Sequence, residues 1–245
     1  MSLTLKIALS PLLIAQAVWA RQAVPRLPEA AGGRAGARGR GPALHLLIAG
    51  DSAAAGVGVA DQSQALAGQL VPRLAAACQA RVHWQLLARS GLTTAQTLDL
   101  LREAQPAPLA DVALVVTGVN DVVDQVPSHR AVAARDAMAN RLRNACGVAH
   151  VLFMPVPPID RFPGLPQPLR WVAGQDARRH NAALRDWAAT RHDVSVPDWD
   201  LDLGAGAMAS DGFHPGEPVY RSCAEAVASH VARHVWPDLR PAATG

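Results

Sequence analysis

The segment Gly50-Asp51-Ser52-Ala53-Ala54-Ala55-Gly56 places a serine hydroxyl directly after the apolar run Leu44–Ala49. If that run is a strand and a helix follows, Ser52 stands in the strand-to-helix turn. There, free backbone N–H groups and the positive end of a helix dipole stabilise an alkoxide or an oxyanion. The position suits a nucleophile, and it suits an ordinary helix N-cap equally well. A phosphate-binding loop fits poorly, because no Lys-Ser/Thr pair follows and the glycine spacing is wrong.

Three more segments bear on the same chemistry. Asp211-Gly212-Phe213-His214-Pro215 sets a carboxylate three residues before an imidazole. On one loop the two can face each other, so that Asp211 accepts from one ring nitrogen and leaves the other basic. Pro215 holds His214 extended and suits the first turn of a following helix. Thr117-Gly118-Val119-Asn120-Asp121 ends another apolar run, and the Asn120 amide is a donor for an oxyanion, although Asn-Asp is also common turn chemistry. Gly91, in Arg89-Ser90-Gly91, offers a backbone N–H at the end of a third run. Asp51 and Asp121 read as turn and capping residues that act through stability.

Residues so far apart in the chain meet only if a fold gathers them. The runs Leu44–Ala49, Val82–Ala88, Val112–Thr117, Val151–Val156 and Val194–Val196 are nearly continuous in aliphatic residues, which suits strands covered on both faces. Gln62–Ala80, Thr94–Ala104, Ser128–Cys146, Gly174–Arg191 and Glu217–Val235 repeat apolar residues three or four apart and read as helices. The alternation predicts a doubly wound α/β domain with a five-stranded parallel sheet, in which ligands bind at the carboxyl ends of the strands. All four segments fall at such ends or on the last loop.

Bulk properties exclude several classes of function. The 245 residues carry a net charge of +3, yet Lys6 and the stretch 21–40 alone carry +5, so residues 41–245 carry −2. The basic balance therefore belongs to the front end, and no nucleic-acid surface is implied. Cys78, Cys146 and Cys223 are odd in number and far apart, and the nine histidines are scattered, so neither a disulfide framework nor a metal site is expected. Residues 1–28 form an apolar segment, signal-like or membrane-interfacial. Residues 29–42 read as a flexible basic Gly/Ala-rich linker, 43–238 as the domain and 239–245 as a tail. Five arginines after residues 7–20 favour association of residues 1–40 with the cytoplasmic face of a membrane, with export through a cleaved signal as the competitor and simple packing on the domain as the third reading. The segment Pro155–Trp171, with six prolines, is either a stiff apolar lip for an acyl chain or a packed connector.

Taken together, Gly-Asp-Ser52, Gly91, Gly-x-Asn120-Asp and Asp211-x-x-His214 resemble, in order and separation, the four blocks of the SGNH (GDSL) hydrolase family over roughly residues 44–235. The resemblance implies a flavodoxin-like three-layer α/β/α domain and a cofactor-free esterase, lipase, thioesterase or lysophospholipase. It implies Ser52 as nucleophile, His214 as base and Asp211 as its partner, with an oxyanion hole made by the Ser52 N–H, the Gly91 N–H and the Asn120 amide. Ala53-Ala54-Ala55 replaces the larger residues often found after the serine. The expected substrates are small-molecule or lipid esters: short or medium acyl esters or lysophospholipids. A carbohydrate O-deacetylase and a catalytically inactive membrane-associated binding protein are the alternatives.

Overall fold

The structure, a computed structural model, describes residues 3–23, 25–104, 109–204 and 206–239. In chain order the elements are α1 (Leu3–Ala23), β1 (Ala35–Arg38), β2 (Ala43–Gly50), α2 (Ser52–Ala55), α3 (Leu66–Cys78), β3 (Arg81–Ala88), α4 (Thr94–Glu103), β4 (Val112–Val116), α5 (Val119–Val123) and α6 (Ser128–Cys146). There follow β5 (His150–Phe153), a 3-10 turn at Ile159–Arg161, α7 (Leu169–Ala188), β6 (Val194–Ser195), α8 (Glu217–His234) and α9 (Trp236–Leu239). Of the expected tail, residues 240–245 lie outside the described residues.

The sheet order is β1-β3-β2-β4-β5-β6. The strands β3, β2, β4, β5 and β6 are mutually parallel, which is the flavodoxin-like arrangement with its switch point at the carboxyl end of β2. Alternation along each strand divides the core in two. Leu44, Leu46, Ile48, Val112, Leu114 and Leu152 face α3 and α8, whereas Leu47, Ala49, Ala113, Val115 and Phe153 face α4, α6 and α7. Both faces are dry, so the runs are continuous rather than alternating in sequence, and each buried Leu, Ile, Val or Phe side chain contributes about 1.5–3 kcal/mol by leaving water. The helices begin and end on local signals. A reciprocal Thr93–Gln96 capping box opens α4, and Gly147 closes α6 in the left-handed region at φ 72°.

Two expectations are corrected. The sheet has six strands rather than five, and the additional one lies within residues 29–42, which are not a flexible linker. β1 pairs antiparallel with β3 from Ala35↔Gln85 to Arg38↔Val82. Its side chains are all exposed, so it leaves no hydrophobic pattern to read. The glycines around it serve close approach: at Gly39, φ 90°, an added Cβ would stand 2.3 Å from the Ala80 carbonyl oxygen.

The front segment forms α1, docked on the start of α7. The Gln16 side chain donates to the Gln167 carbonyl at 2.7 Å and accepts from the Leu169 N–H at 3.0 Å. Among the described residues no helix is long and apolar enough to cross a membrane.

Candidate active site

Ser52 opens α2 immediately beyond β2, at the sheet's switch point. Asp51 is the N-cap, its side chain accepting from the Ala53 N–H at 3.0 Å, so Ser52 is freed from the capping role that its position also suits. The loop after α2 lies against the His214-Pro215 segment. At Gly58, φ 105°, an added Cβ would come within 2.2 Å of the Pro215 carbonyl oxygen. That contact brings two stretches more than 150 residues apart in sequence to one cavity that both Ser52 and His214 line.

Asp211 is buried and holds the Phe213-His214 segment by three hydrogen bonds. Its Oδ2 lies 2.6 Å from His214 Nδ1, and its Oδ1 accepts from the backbone N–H groups of Phe213 and His214, both at 2.9 Å. A carboxylate can only accept, so Nδ1 is the donor in this pair, and in the neutral ring Nε2 is then the nitrogen with a free lone pair. Burial works against the charge on Asp211, but the His214 ring and the two N–H groups outweigh it and hold the carboxyl below its usual range. Phe213, set edge-on to His214 and to Phe162, walls the ring from the side.

Asn120 lies in α5, the short helix that follows β4. Its Nδ2 donates to the Leu92 carbonyl at 3.0 Å and reaches Asp51 Oδ2 at a long 3.4 Å. Gly91 lies in the exposed turn after β3, one residue before Leu92, with φ 82°. Asn120 thus ties the β4 end to the loop that carries Gly91.

The other two motif carboxylates have structural work. Asp121, 1% exposed, accepts from the Thr94 N–H and, at 2.6 Å, from the Thr94 hydroxyl. It also supplies the attraction that opposes the burial of the Arg135 guanidinium. Thr94 and Arg135 carry no signal in the sequence, because nothing in a helix pattern marks which polar residue turns inward.

Asp51 is unusual. Burial, with the Asp121 charge adding to it, pushes its carboxyl up to about 7. A folded-state value above the unfolded one means that the native state binds the extra proton. Stability contributed by this group is therefore full below about pH 4 and falls as pH rises towards about 7. Asn caps a helix about as well as Asp. Asp51→Asn should consequently gain melting temperature relative to the unaltered protein as pH rises from 4 to 7, by the equivalent of at most a few kcal/mol, in order of magnitude. Thermal melts of both proteins across that range check this, and parallel curves contradict it.

The family model of the GDSL-like lipase/acylhydrolase family matches residues 48–221. No curated protein sequence matches the chain. Among solved structures, the lipase Lip_vut3 from a goat rumen metagenome superposes with a TM-score of 0.63 at 18% identity, covering 78% of this chain and 98% of that one. Axe2, an acetylxylan esterase from Geobacillus stearothermophilus, gives 0.59 at 18% identity over 80% and 97%. The psychrotrophic esterase EstA from Pseudoalteromonas sp. gives 0.54 at 18% identity over 76% and 98%. At such identities these likenesses establish the shared fold.

Proposed function

The chain belongs to the GDSL-like lipase/acylhydrolase family, a hydrolase family acting on ester bonds, and from that premise we propose that it hydrolyses short and medium acyl esters, lysophospholipids included, through an acyl-enzyme. In this reading His214 Nε2 takes the Ser52 proton as the hydroxyl oxygen attacks the ester carbonyl. The charge that develops on the carbonyl oxygen is met by the Ser52 N–H, the Gly91 N–H and the Asn120 amide. The protonated imidazole, steadied by Asp211, then delivers its proton to the leaving alcohol. Water, deprotonated by the same ring, releases the acid and regenerates Ser52.

The observation that carries the substrate class is the wall of the cavity beside Ser52 and His214. Met154, Phe162, Leu201, Leu203, Met208 and Val219 line it, and such a surface rewards alkyl carbon by about 0.8 kcal/mol per buried methylene. An acetyl group would leave most of that wall uncovered. Pro155 and Pro157 contribute to the same wall, while Val156 and Ile159 pack with Phe162 in a small core of their own. The proline-rich segment is therefore both lip and packed connector.

For nitrophenyl esters, kcat/KM should rise with acyl length by up to about fourfold per methylene until the cavity is full. A maximum at acetate, together with release of acetate from acetylated xylan, would move the assignment to a carbohydrate O-deacetylase. No hydrolysis of either would favour the binding-protein alternative, against which the intact Asp211–His214 pair speaks.

We propose further that the front end sits on the anionic, cytoplasmic face of a membrane. Along α1 the inward face presents Leu13, Gln16, Ala17 and Ala20, whereas the outward face presents Pro11, Leu12, Ile14, Ala15, Val18 and Trp19. A surface helix with an apolar outward face lacks the polar side that water requires. Arg26, Arg38 and Arg40, all exposed, supply positive charge for anionic headgroups. Because β1 belongs to the sheet, the test leaves residues 24–42 in place. Leu12→Gln, Ile14→Gln and Trp19→Gln together should abolish salt-sensitive binding to vesicles containing phosphatidylserine; unchanged binding would overturn this assignment.

A further inference from the structure

Residues 25–34 pass over the carboxyl end of the sheet on their way to β1. Ala30 donates its N–H to the Ala55 carbonyl, and Gln62 donates its N–H to the Ala31 carbonyl. Within this strap Glu29 is the only acidic residue among the first fifty. One of its oxygens accepts from both the backbone N–H and the hydroxyl of Ser90, at 2.7 and 2.8 Å. Its other oxygen accepts from Arg34 Nη2 at 2.5 Å, and Arg34 Nη1 donates to the Ala88 carbonyl at 2.8 Å. The Arg34 carbonyl in turn accepts the Leu86 N–H at 2.7 Å. The pair thus grips the chain on both sides of Arg89, just before Gly91.

The loop needs such a grip. Arg89, Ser90 and Gly91 are exposed, and a Cβ added at Gly91 would meet nothing within 4 Å. Downstream the loop is held by Asn120 on the Leu92 carbonyl and by the Thr93–Gln96 capping box; upstream, side chains from the strap hold it. Burial opposes the charge on Glu29, but the two Ser90 hydrogen bonds and Arg34 prevail and keep its carboxyl below the usual range, so the grip is charge-assisted at neutral pH.

We infer that Glu29 and Arg34 are positioning residues for ester hydrolysis: they fix the peptide that presents the Gly91 N–H to the oxyanion. The inference rests on the acyl-hydrolase reading above. An oxyanion donor acts only as charge develops, so a loosened donor costs kcat and spares KM. A role confined to stability would lower the melting temperature and leave kcat intact in the folded enzyme.

The test measures kcat, KM and melting temperature of the full chain with a nitrophenyl ester, alongside hydrogen exchange of the peptide spanning Ser90 and Gly91. Glu29→Ala should lower kcat by roughly tenfold, less than the 10²–10³ for outright removal of a donor, with KM nearly constant and exchange at 90–91 faster. Glu29→Gln, which keeps an oxygen for Ser90, should recover most of the rate. If Glu29→Ala melts below the assay temperature, Arg34→Ala provides the same comparison. Wild-type kcat in a folded Glu29→Ala, with unchanged exchange, overturns the brace alone. A wild-type chain that hydrolyses no ester overturns the acyl-hydrolase reading and the brace with it.

Discussion

Ser52→Ala should lower kcat for a medium-chain nitrophenyl ester by about 10⁴- to 10⁶-fold, with the fold intact. The size of the loss follows from the proposed two-step reaction, since without the hydroxyl no acyl-enzyme would form and only water would remain to attack. The structural cost should be small. Asp51 rather than Ser52 caps α2, and the substitution removes a single oxygen at the edge of a cavity. Circular dichroism and a thermal melt establish the fold, and an active-site titration excludes contaminating wild-type enzyme. A loss below about tenfold would mean that Ser52 does not carry the acyl group.

Asp211→Asn is expected to lower kcat by about 10²- to 10⁴-fold. An amide keeps one oxygen, which can still accept from the Phe213 and His214 N–H groups that Oδ1 now serves. The amide nitrogen then replaces Oδ2 opposite His214 Nδ1. Two donors cannot face each other at that distance, so the imidazole turns to the tautomer protonated on Nε2, which cannot accept the Ser52 proton. The imidazolium also loses its counter-charge. Melting temperature should change far less than kcat. Near-full activity would mean a Ser-His pair working without Asp211.

Much of this arrangement can be read from the chain, for identifiable physical reasons. The central parallel strands β2, β4 and β5 are buried on both faces along most of their length, so their aliphatic runs are nearly unbroken, and the helices between the strands carry one apolar stripe each. Ser52, Asn120 and His214 are legible because each is a chemically capable residue at the end of such an element. β1 is not legible, since a solvent-exposed edge strand held by backbone bonds to β3 needs no apolar side chain. Its glycines, which imply flexibility in a composition count, stand where the backbone passes too close to Gln79 and Ala80 for a Cβ. Glu29 escapes for a related reason. Its partners at Ser90 lie 61 residues away, and no local periodicity encodes a contact of that range. Its one trace in the sequence is an isolated acid among five arginines. Asp121 is legible as a turn and capping residue, but its two-point hold on Thr94 and its attraction for the buried Arg135 depend on the packing of α4 against α6.

The proposed mechanism makes the Ser52 hydroxyl the group that becomes acylated. A fluorophosphonate probe reports on it directly, because it forms a covalent adduct only with a serine whose proton a base can remove and whose phosphoryl oxygen an oxyanion hole can hold. Incubation of the purified full-length protein with the probe, proteolysis and peptide mass spectrometry should place a single adduct on Ser52. The adduct should be lost in His214→Ala and retained in the presence of chelators. An adduct on any other serine, or none on an enzyme that still hydrolyses esters, would contradict the account.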